Sequence, residues 1–188
     1  MRKAHKTVRV VAALVAALLS VAGWAQAEEI TIALSNLSTF QKDTVTTTVR
    51  GAVAIPAIPK GDSIHIDYAE LIFPASAEVD TADPLLIMVA PITRQWTPGA
   101  VSWNTGWTKA GGDFNPEYGA LRAIFASTTE KEIRVDVTPL VTAWQRGKLP
   151  NFGVLVKSHT EGKSSFGFIK DGRYDGGHAK LRIVYCRP

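Results

Sequence analysis

Residues 132–158 read EIRVDVTPLVTAWQRGKLPNFGVLVKS, a strand pattern, a helix pattern and a second strand pattern in that order. In the first part, Ile133, Val135 and Val137 alternate with charged residues. A period of two puts one set of side chains on each face of a strand. The first part therefore predicts a strand with one face on a hydrophobic core.

The middle of this stretch predicts one short helix over residues 139–146. Pro139 suits the first helical position after a capping Thr138, and Gly147 can close the end. The apolar residues that share one face, at spacings of three and four, are Leu140, Val141 and Trp144. We expect this helix to close one end of the surrounding β-structure.

The period of two recurs along the chain. Strands are predicted at residues 29–34, 49–55, 63–73, 84–91, 119–126, 153–157, 164–169 and 181–185, with Gly- and Pro-rich turns between them. In the segment 63–73 the apolar phase slips near Tyr68 and Ala69, which predicts a β-bulge or a change of sheet. The pattern indicates an all-β fold, a two-sheet antiparallel sandwich or a barrel.

The N-terminus has the pattern of a Sec signal peptide. Residues 1–9 carry four basic side chains, residues 10–22 are apolar, and Ala25-Gln26-Ala27 has the small residues of a cleavage site. The apolar run of 13 residues is shorter than the roughly 18–20 that span a membrane. We expect cleavage after Ala27, a secreted or periplasmic (cell-envelope) product, and no membrane span in the rest of the chain.

Removal of residues 1–27 also removes the positive charge of the protein. The full chain has 21 Lys and Arg against 17 Asp and Glu, and four of those basic residues precede residue 28. Residues 28–188 therefore carry 17 of each sign. A neutral chain gives no electrostatic reason to expect a nucleic-acid partner. These residues contain no internal repeat or linker, and we predict that they form one domain.

Residues suited to catalysis or metal binding are sparse in the sequence. The single Cys186 rules out an intramolecular disulfide framework, and His65, His159 and His178 lack the spacing of metal ligands. No nucleophile elbow, zinc-protease helix or phosphate loop occurs. Asp171 and Asp175 suit a solvated turn better than a calcium site. We expect no enzyme activity, no metal and no cofactor.

Three aromatic residues and two cations lie in or beside one irregular segment, residues 105–119. The rings are Trp107, Phe114 and Tyr118, and the cations are Lys109 and Arg122. A flat ring can stack on the apolar face of a pyranose, and a cation can pair with the carboxylate of a uronic acid. These five residues are the predicted ligand site. The alternative is that the segment folds back and its aromatic rings cover the end of the sandwich.

Seven residues are predicted to lie in the core: Leu71, Trp103, Val135, Leu140, Trp144, Val154 and Ile183. Trp96 fits either a core or a binding position. Six basic residues could form a stripe for an anionic polysaccharide, although solvated lysines at sheet edges are the commoner explanation. They are Lys157, Lys163, Lys170, Arg173, Lys180 and Arg182.

A set of short segments follows in a recognisable order between residues 50 and 185. It comprises VAIP (53–56), IPKGDSI (58–64), YAEL (68–71), WTPGAVSWN (96–104), VDVT (135–138), NFGVLVK (151–157) and LRIVY (181–185). This order resembles the DNRLRE-type domain, an extracellular β-jelly-roll module related to alginate-binding carbohydrate-binding modules. The resemblance implies a jelly roll, secretion, and a role in binding or presenting polysaccharide.

The expected function is that of an exported, non-catalytic polysaccharide-binding module, whose candidate ligands include acidic glycans such as alginate. One alternative is a structural or adhesive surface protein with a protein partner. A small polysaccharide-active enzyme is the third.

Overall fold

A computed structural model of the protein describes residues 26–34, 37–43, 49–61, 63–74, 85–124, 132–159 and 179–187. Several predictions fall outside these ranges: the signal peptide up to Ala25, the strand at 164–169, the turn at Asp171 and Asp175, and the cations Lys163, Lys170 and Arg173. No helix in the described ranges is long and apolar enough to cross a membrane.

Nine strands and one short α-helix make up the described secondary structure. The strands are β1 (Ala27–Leu34), β2 (Leu37–Gln41), β3 (Val49–Val53), β4 (His65–Pro74), β5 (Leu85–Pro91), β6 (Ala120–Ile124), β7 (Glu132–Asp136), β8 (Val154–Ser158) and β9 (Ala179–Cys186). The helix α1 spans Thr138–Gln145, and a 3-10 turn η1 spans Pro116–Tyr118.

The strands form two antiparallel sheets. One has the order β1-β9-β4-β7 and the other the order β2-β3-β8-β5-β6. The chain passes repeatedly from one sheet to the other, so that strands distant in sequence become neighbours. This is the jelly-roll form of a β-sandwich, and it confirms the predicted fold class.

The main hydrophobic core lies between the inner faces of the two sheets. Six of the residues predicted for it are buried: Leu71, Val135, Leu140, Trp144, Val154 and Ile183. The prediction for Trp103 is wrong, because this ring is half-buried on the outer side of the five-stranded sheet. Its segment is a folded loop rather than a strand, closed by the Ser102 N–H to Thr105 carbonyl bond, so alternation there says nothing about the core.

The phase slip in β4 is a β-bulge, as the sequence predicts. Ile66 is the Cα partner of Tyr185, whereas Tyr68 is the partner of Val184. Asp67 is thus the extra residue that shifts the register. Downstream of it Ala69 and Leu71 face the core, whereas the side chain of Tyr68 is exposed.

Helix α1 closes one end of the sandwich with its buried Leu140, Val141 and Trp144, as predicted. Thr138 does not cap it in the predicted way. Instead the Thr138 hydroxyl accepts a hydrogen bond from the Ala69 N–H at 2.8 Å, just beyond the bulge. Gly147, at φ +67°, takes the left-handed conformation that ends the helix.

Candidate ligand-binding face

The long connection between β5 and η1 lies on the outer face of the five-stranded sheet. We call residues 92–114 the cap. A second hydrophobic cluster joins Ile92 and Trp107 of the cap to Phe40 on β2, Ala52 on β3 and Leu155 on β8. Strands β3 and β8 are consequently buried on both faces, one against the main core and one against the cap.

A buried carboxylate organises the cap from within. Asp113 accepts hydrogen bonds from the Thr108 N–H at 2.6 Å and the Lys109 N–H at 3.0 Å. Its backbone carbonyl accepts from the Thr93 N–H at 2.9 Å. The guanidinium of Arg94 lies 3.8 Å away and also donates to the Thr108 hydroxyl. Asp113 therefore fixes the turn that places the next residue, Phe114, against the sheet.

Trp107 lies inside the cap and not on its surface. Its side chain is 9% exposed, and its ring centroid lies 5.6 Å from that of Phe40 and 6.0 Å from that of Trp96. Both neighbours cover ring surface that a sugar would need. Trp107 is therefore not a candidate for stacking on a sugar. For this residue the structure agrees with the alternative given by the sequence, in which the segment folds back on the sandwich.

Phe114 meets two cations from the sheet. Arg50 on β3 and Lys157 on β8 are Cα partners. The Arg50 Cζ lies 5.5 Å and the Lys157 Nζ 5.7 Å from the Phe114 ring centroid. Arg50 also lies 4.6 Å from the Trp103 ring and donates to the Gly111 carbonyl. Arg50 is buried, whereas Lys157 and Phe114 are half-buried and reach the edge of the cap.

The row of residues on this face continues from Lys157 to the edge strand β6, through the buried Met88 to the exposed Leu121. Lys157 is the Cα partner of Met88 on β5, and Met88 is the partner of Leu121 on β6. Gly119 lies against the Met88 side chain, where a Cβ would be 3.4 Å from its Cγ. The adjacent Tyr118 is 42% exposed. Gly119, which follows Tyr118, thus packs against Met88, the strand partner of Lys157, and Lys157 in turn lies against the Phe114 ring.

The two cations predicted from the sequence lie elsewhere. Lys109 is exposed on the cap, and its contact with Asp113 is made by its backbone. Arg122 is exposed on β6, but it alternates with Leu121 and so points to the opposite side of that strand. The structure therefore brings Phe114 to one face with Lys157 and Arg50, and places Arg122 outside that face. Tyr118 is exposed next to Gly119, which packs against Met88.

Sequence reasoning missed Arg50 because its partners are distant in the chain. From the sequence alone, Lys157 belongs only to the predicted basic stripe. That stripe does not form among its described members, since Lys157 is on the five-stranded sheet whereas Lys180 and Arg182 are on β9 of the other sheet. The alternation of apolar residues in β3 was the available signal, because it places Arg50 on the face opposite the core residue Val53.

No family model matches the chain, and no curated protein matches it significantly.

Proposed function

We propose that the protein is an exported, non-catalytic module that binds an acidic polysaccharide on the outer face of the five-stranded sheet, beside the cap. The observation that carries this proposal is the contact of the Lys157 cation with the Phe114 ring, together with the exposed Tyr118, whose neighbour Gly119 packs against Met88, the strand partner of Lys157. A ring and a cation on one face can hold a uronic acid by stacking and by a charge-assisted hydrogen bond.

The three side chains have different parts in this proposal. Tyr118 is the most exposed ring and offers the stacking surface. Lys157 offers the cation, because its long side chain can turn its ammonium group toward solvent. Phe114 is held between cap and sheet and forms the wall of the site, and the buried Arg50 adds positive charge behind it.

The rigid support of the site favours binding. Lys157 is on a strand in the middle of a five-stranded sheet, and Asp113 fixes the turn before Phe114. Loops on a rigid β-sandwich are common positions for binding residues, and a backbone that is already fixed loses little entropy on binding. The resemblance to DNRLRE-type domains implies a jelly-roll fold and a polysaccharide ligand. The observed jelly roll agrees with the first of these expectations and so supports the proposal.

Export is part of the proposal, and the start of β1 is compatible with it. Cleavage after Ala27 leaves Glu28 and Glu29 as the first two residues. The Tyr185 hydroxyl donates to the Glu28 carboxylate at 2.7 Å, and Arg182 makes two hydrogen bonds to the Glu29 carboxylate at 2.9 and 2.8 Å. The new terminus would keep these contacts. The intact mass of the exported protein should be that of a chain beginning at Glu28.

The test is affinity electrophoresis of residues 28–188 in gels that contain alginate, at low and high salt. We expect the wild type to be retarded, and Tyr118→Ala and Lys157→Gln to be retarded less, with the Lys157 contribution fading as salt rises. Lys109→Gln tests the cation that the sequence predicts.

The matched control is Lys180→Gln, which removes an exposed lysine from the opposite sheet. Equal loss in this variant would indicate a general charge effect and contradict the site. No retardation of the wild type by alginate would favour the alternative, a structural or adhesive surface protein.

A further inference from the structure

The outer face of the four-stranded sheet carries an exposed aromatic ring of its own. Tyr68 on β4 is 36% exposed and lies beside Val184 of β9, its Cα partner. Among the residues whose side-chain burial is described, only Tyr118 and Leu121, both at the opposite sheet, are other large hydrophobic side chains exposed to this degree. The cap covers the other sheet, so the two outer faces differ in construction.

The β-bulge is what puts Tyr68 on this surface. Ile66 faces the core, and in a regular strand residue 68 would face the core as well. The extra residue Asp67 reverses the phase, so that Tyr68 points outward together with its partner Val184. Bulges are over-represented beside functional sites, where they redirect a side chain. The backbone irregularity here serves to expose one ring.

A buried carboxylate beneath the ring fixes its orientation. The Tyr68 hydroxyl donates to Glu70 Oε2 at 3.1 Å. Glu70 is only 3% exposed, and its Oε1 accepts from Arg134 Nη1 at 2.8 Å and from Arg182 Nη1 at 3.2 Å. Desolvation, and then the hydrogen bond to Glu70, raise the pKa of Tyr68, which keeps the phenol in its neutral, donating form.

The groups around the ring both donate and accept hydrogen bonds. Arg182 links Glu70 to Glu29 on β1, and Asp136 is the Cα partner of Glu70 on β7. The cluster therefore has two guanidinium groups, Arg134 and Arg182, against three carboxylates, Glu29, Glu70 and Asp136. Such a balance disfavours an anionic ligand. It suits hydroxyl groups, each of which can donate and accept.

We propose that Tyr68 is the stacking platform of a second glycan site, which takes one unit of a neutral polysaccharide. The sugar ring lies on the exposed phenol, and its hydroxyls contact the guanidinium groups of Arg134 and Arg182 and the carboxylate of Asp136. A single exposed ring matches the size of one pyranose and is far smaller than the apolar area that a protein partner would need.

This site is separate from the proposed acidic-glycan site and shares with it only the class of ligand. Because the two sites lie on the outer faces of opposite sheets, one domain would hold two polysaccharide chains at once. The acidic chain would bind beside the cap and the neutral chain at the bulge.

The experiment is affinity electrophoresis of residues 28–188 in separate gels that contain laminarin, galactomannan, arabinoxylan or alginate. We expect at least one neutral gel to retard the wild type. Tyr68→Ala should raise the dissociation constant for that glycan roughly two- to tenfold, the range of one lost stacking contact. Tyr68→Phe, which keeps the ring, should retain most of the retardation.

Tyr118→Ala is the matched control, because it removes the exposed tyrosine of the other face. It should leave the neutral-glycan retardation unchanged, and Tyr68→Ala should leave the alginate retardation unchanged. Near-UV circular dichroism of each variant verifies the fold. Retardation by none of the neutral glycans, or equal retardation of Tyr68→Ala and wild type, overturns the second site. If the wild type is retarded by a neutral glycan but not by alginate, only the proposed acidic-glycan site is overturned.

Discussion

Arg50 on β3 donates a hydrogen bond to the carbonyl oxygen of Gly111, which lies 61 residues further along the chain in the cap. The same guanidinium lies against the ring of Trp103. Arg50 is itself buried, and apolar side chains of the cap and of the sheet pack together in the same layer. The cap is therefore attached to the sheet by a buried cation as well as by hydrophobic contacts.

Arg50→Ala should loosen this attachment. A hydrogen bond that involves a charged group contributes about 1.5–3 kcal/mol, and the variant also leaves the Gly111 carbonyl without this donor. We expect the free energy of unfolding, measured in urea, to fall by about 2 kcal/mol. Arg122→Ala removes an exposed arginine and should change it by less than about 0.5 kcal/mol. Equal effects of the two substitutions would contradict the role of Arg50.

Gly112→Ala should be more destabilising than Gly99→Ala. Both glycines have positive φ, +111° and +77°. A Cβ on Gly112 would lie 2.4 Å from Leu155 Cδ1, whereas nothing lies within 4 Å of a Cβ on Gly99. Gly99→Ala therefore measures backbone strain alone, and Gly112→Ala adds a collision of about 1–3 kcal/mol. Urea midpoints of the two variants give the comparison, and a smaller loss for Gly112→Ala would refute it.

Trp144→Ala and Trp103→Ala should differ in cost. Trp144 is buried in the main core beneath α1, and its loss should lower the free energy of unfolding by about 3–5 kcal/mol. Trp103 is half-buried between the cap and Arg50, so a smaller loss is expected. Thermal unfolding of both variants is the measurement. A Trp103 effect as large as that of Trp144 would show that the cap is part of the main folding unit.

Thr138→Val should destabilise the junction of β4 and α1. The Thr138 hydroxyl accepts from the Ala69 N–H, and valine keeps the shape but leaves that part-buried donor unsatisfied. An unsatisfied donor costs about 1–3 kcal/mol. Thr138→Ser keeps the hydroxyl and should retain most of the stability. Amide hydrogen exchange at Ala69 reports the bond directly, and equal protection in the two variants would count against it.

Tyr68 should titrate later than an ordinary tyrosine. Its folded-state pKa is raised above the usual value of 10.0 by desolvation and by the Glu70 carboxylate. Above that value the unfolded chain has lost the phenolic proton while the folded protein still holds it. The contribution of Tyr68 to stability is therefore complete below about pH 10 and declines as the pH rises toward the folded pKa.

The measurement is the near-UV absorbance titration of the wild type minus that of Tyr68→Phe. This difference isolates one of the four tyrosines of the chain. A midpoint at or below the ordinary value would contradict the contact with Glu70.

Strand alternation was sufficient to predict the fold class, because a strand with one buried face carries its pattern in its own residues. The bulge at Asp67 was visible for the same reason, as a change of phase between Ile66 and Ala69. Strand β2 was missed. Its buried residues Ser38 and Phe40 face the cap, and the Ser38 hydroxyl accepts from the Gly99 N–H. Its burial depends on a loop distant in sequence, which no local period reveals.

The candidate site was predictable only in part. Phe114 and Tyr118 could be selected because they lie in an irregular segment rich in aromatic residues. The burial of Trp107 could not be foreseen, since a segment without a period gives no inner or outer face. The partnership of Phe114 with Arg50 and Lys157 depends on the register of β3 against β8, which is a property of the folded sheet.

The cap also separates the tryptophans of the protein into two groups whose fluorescence can be followed separately. From residue 28 onward the sequence has four, of which Trp96, Trp103 and Trp107 lie in the cap and Trp144 lies in the main core. The single substitution Trp144→Phe would make the cap the only source of tryptophan fluorescence. Tryptophan emission would then report the attachment of the cap to the sheet, while far-UV circular dichroism reports the strands. The time course of cap loosening could therefore be compared with that of the unfolding of the two sheets.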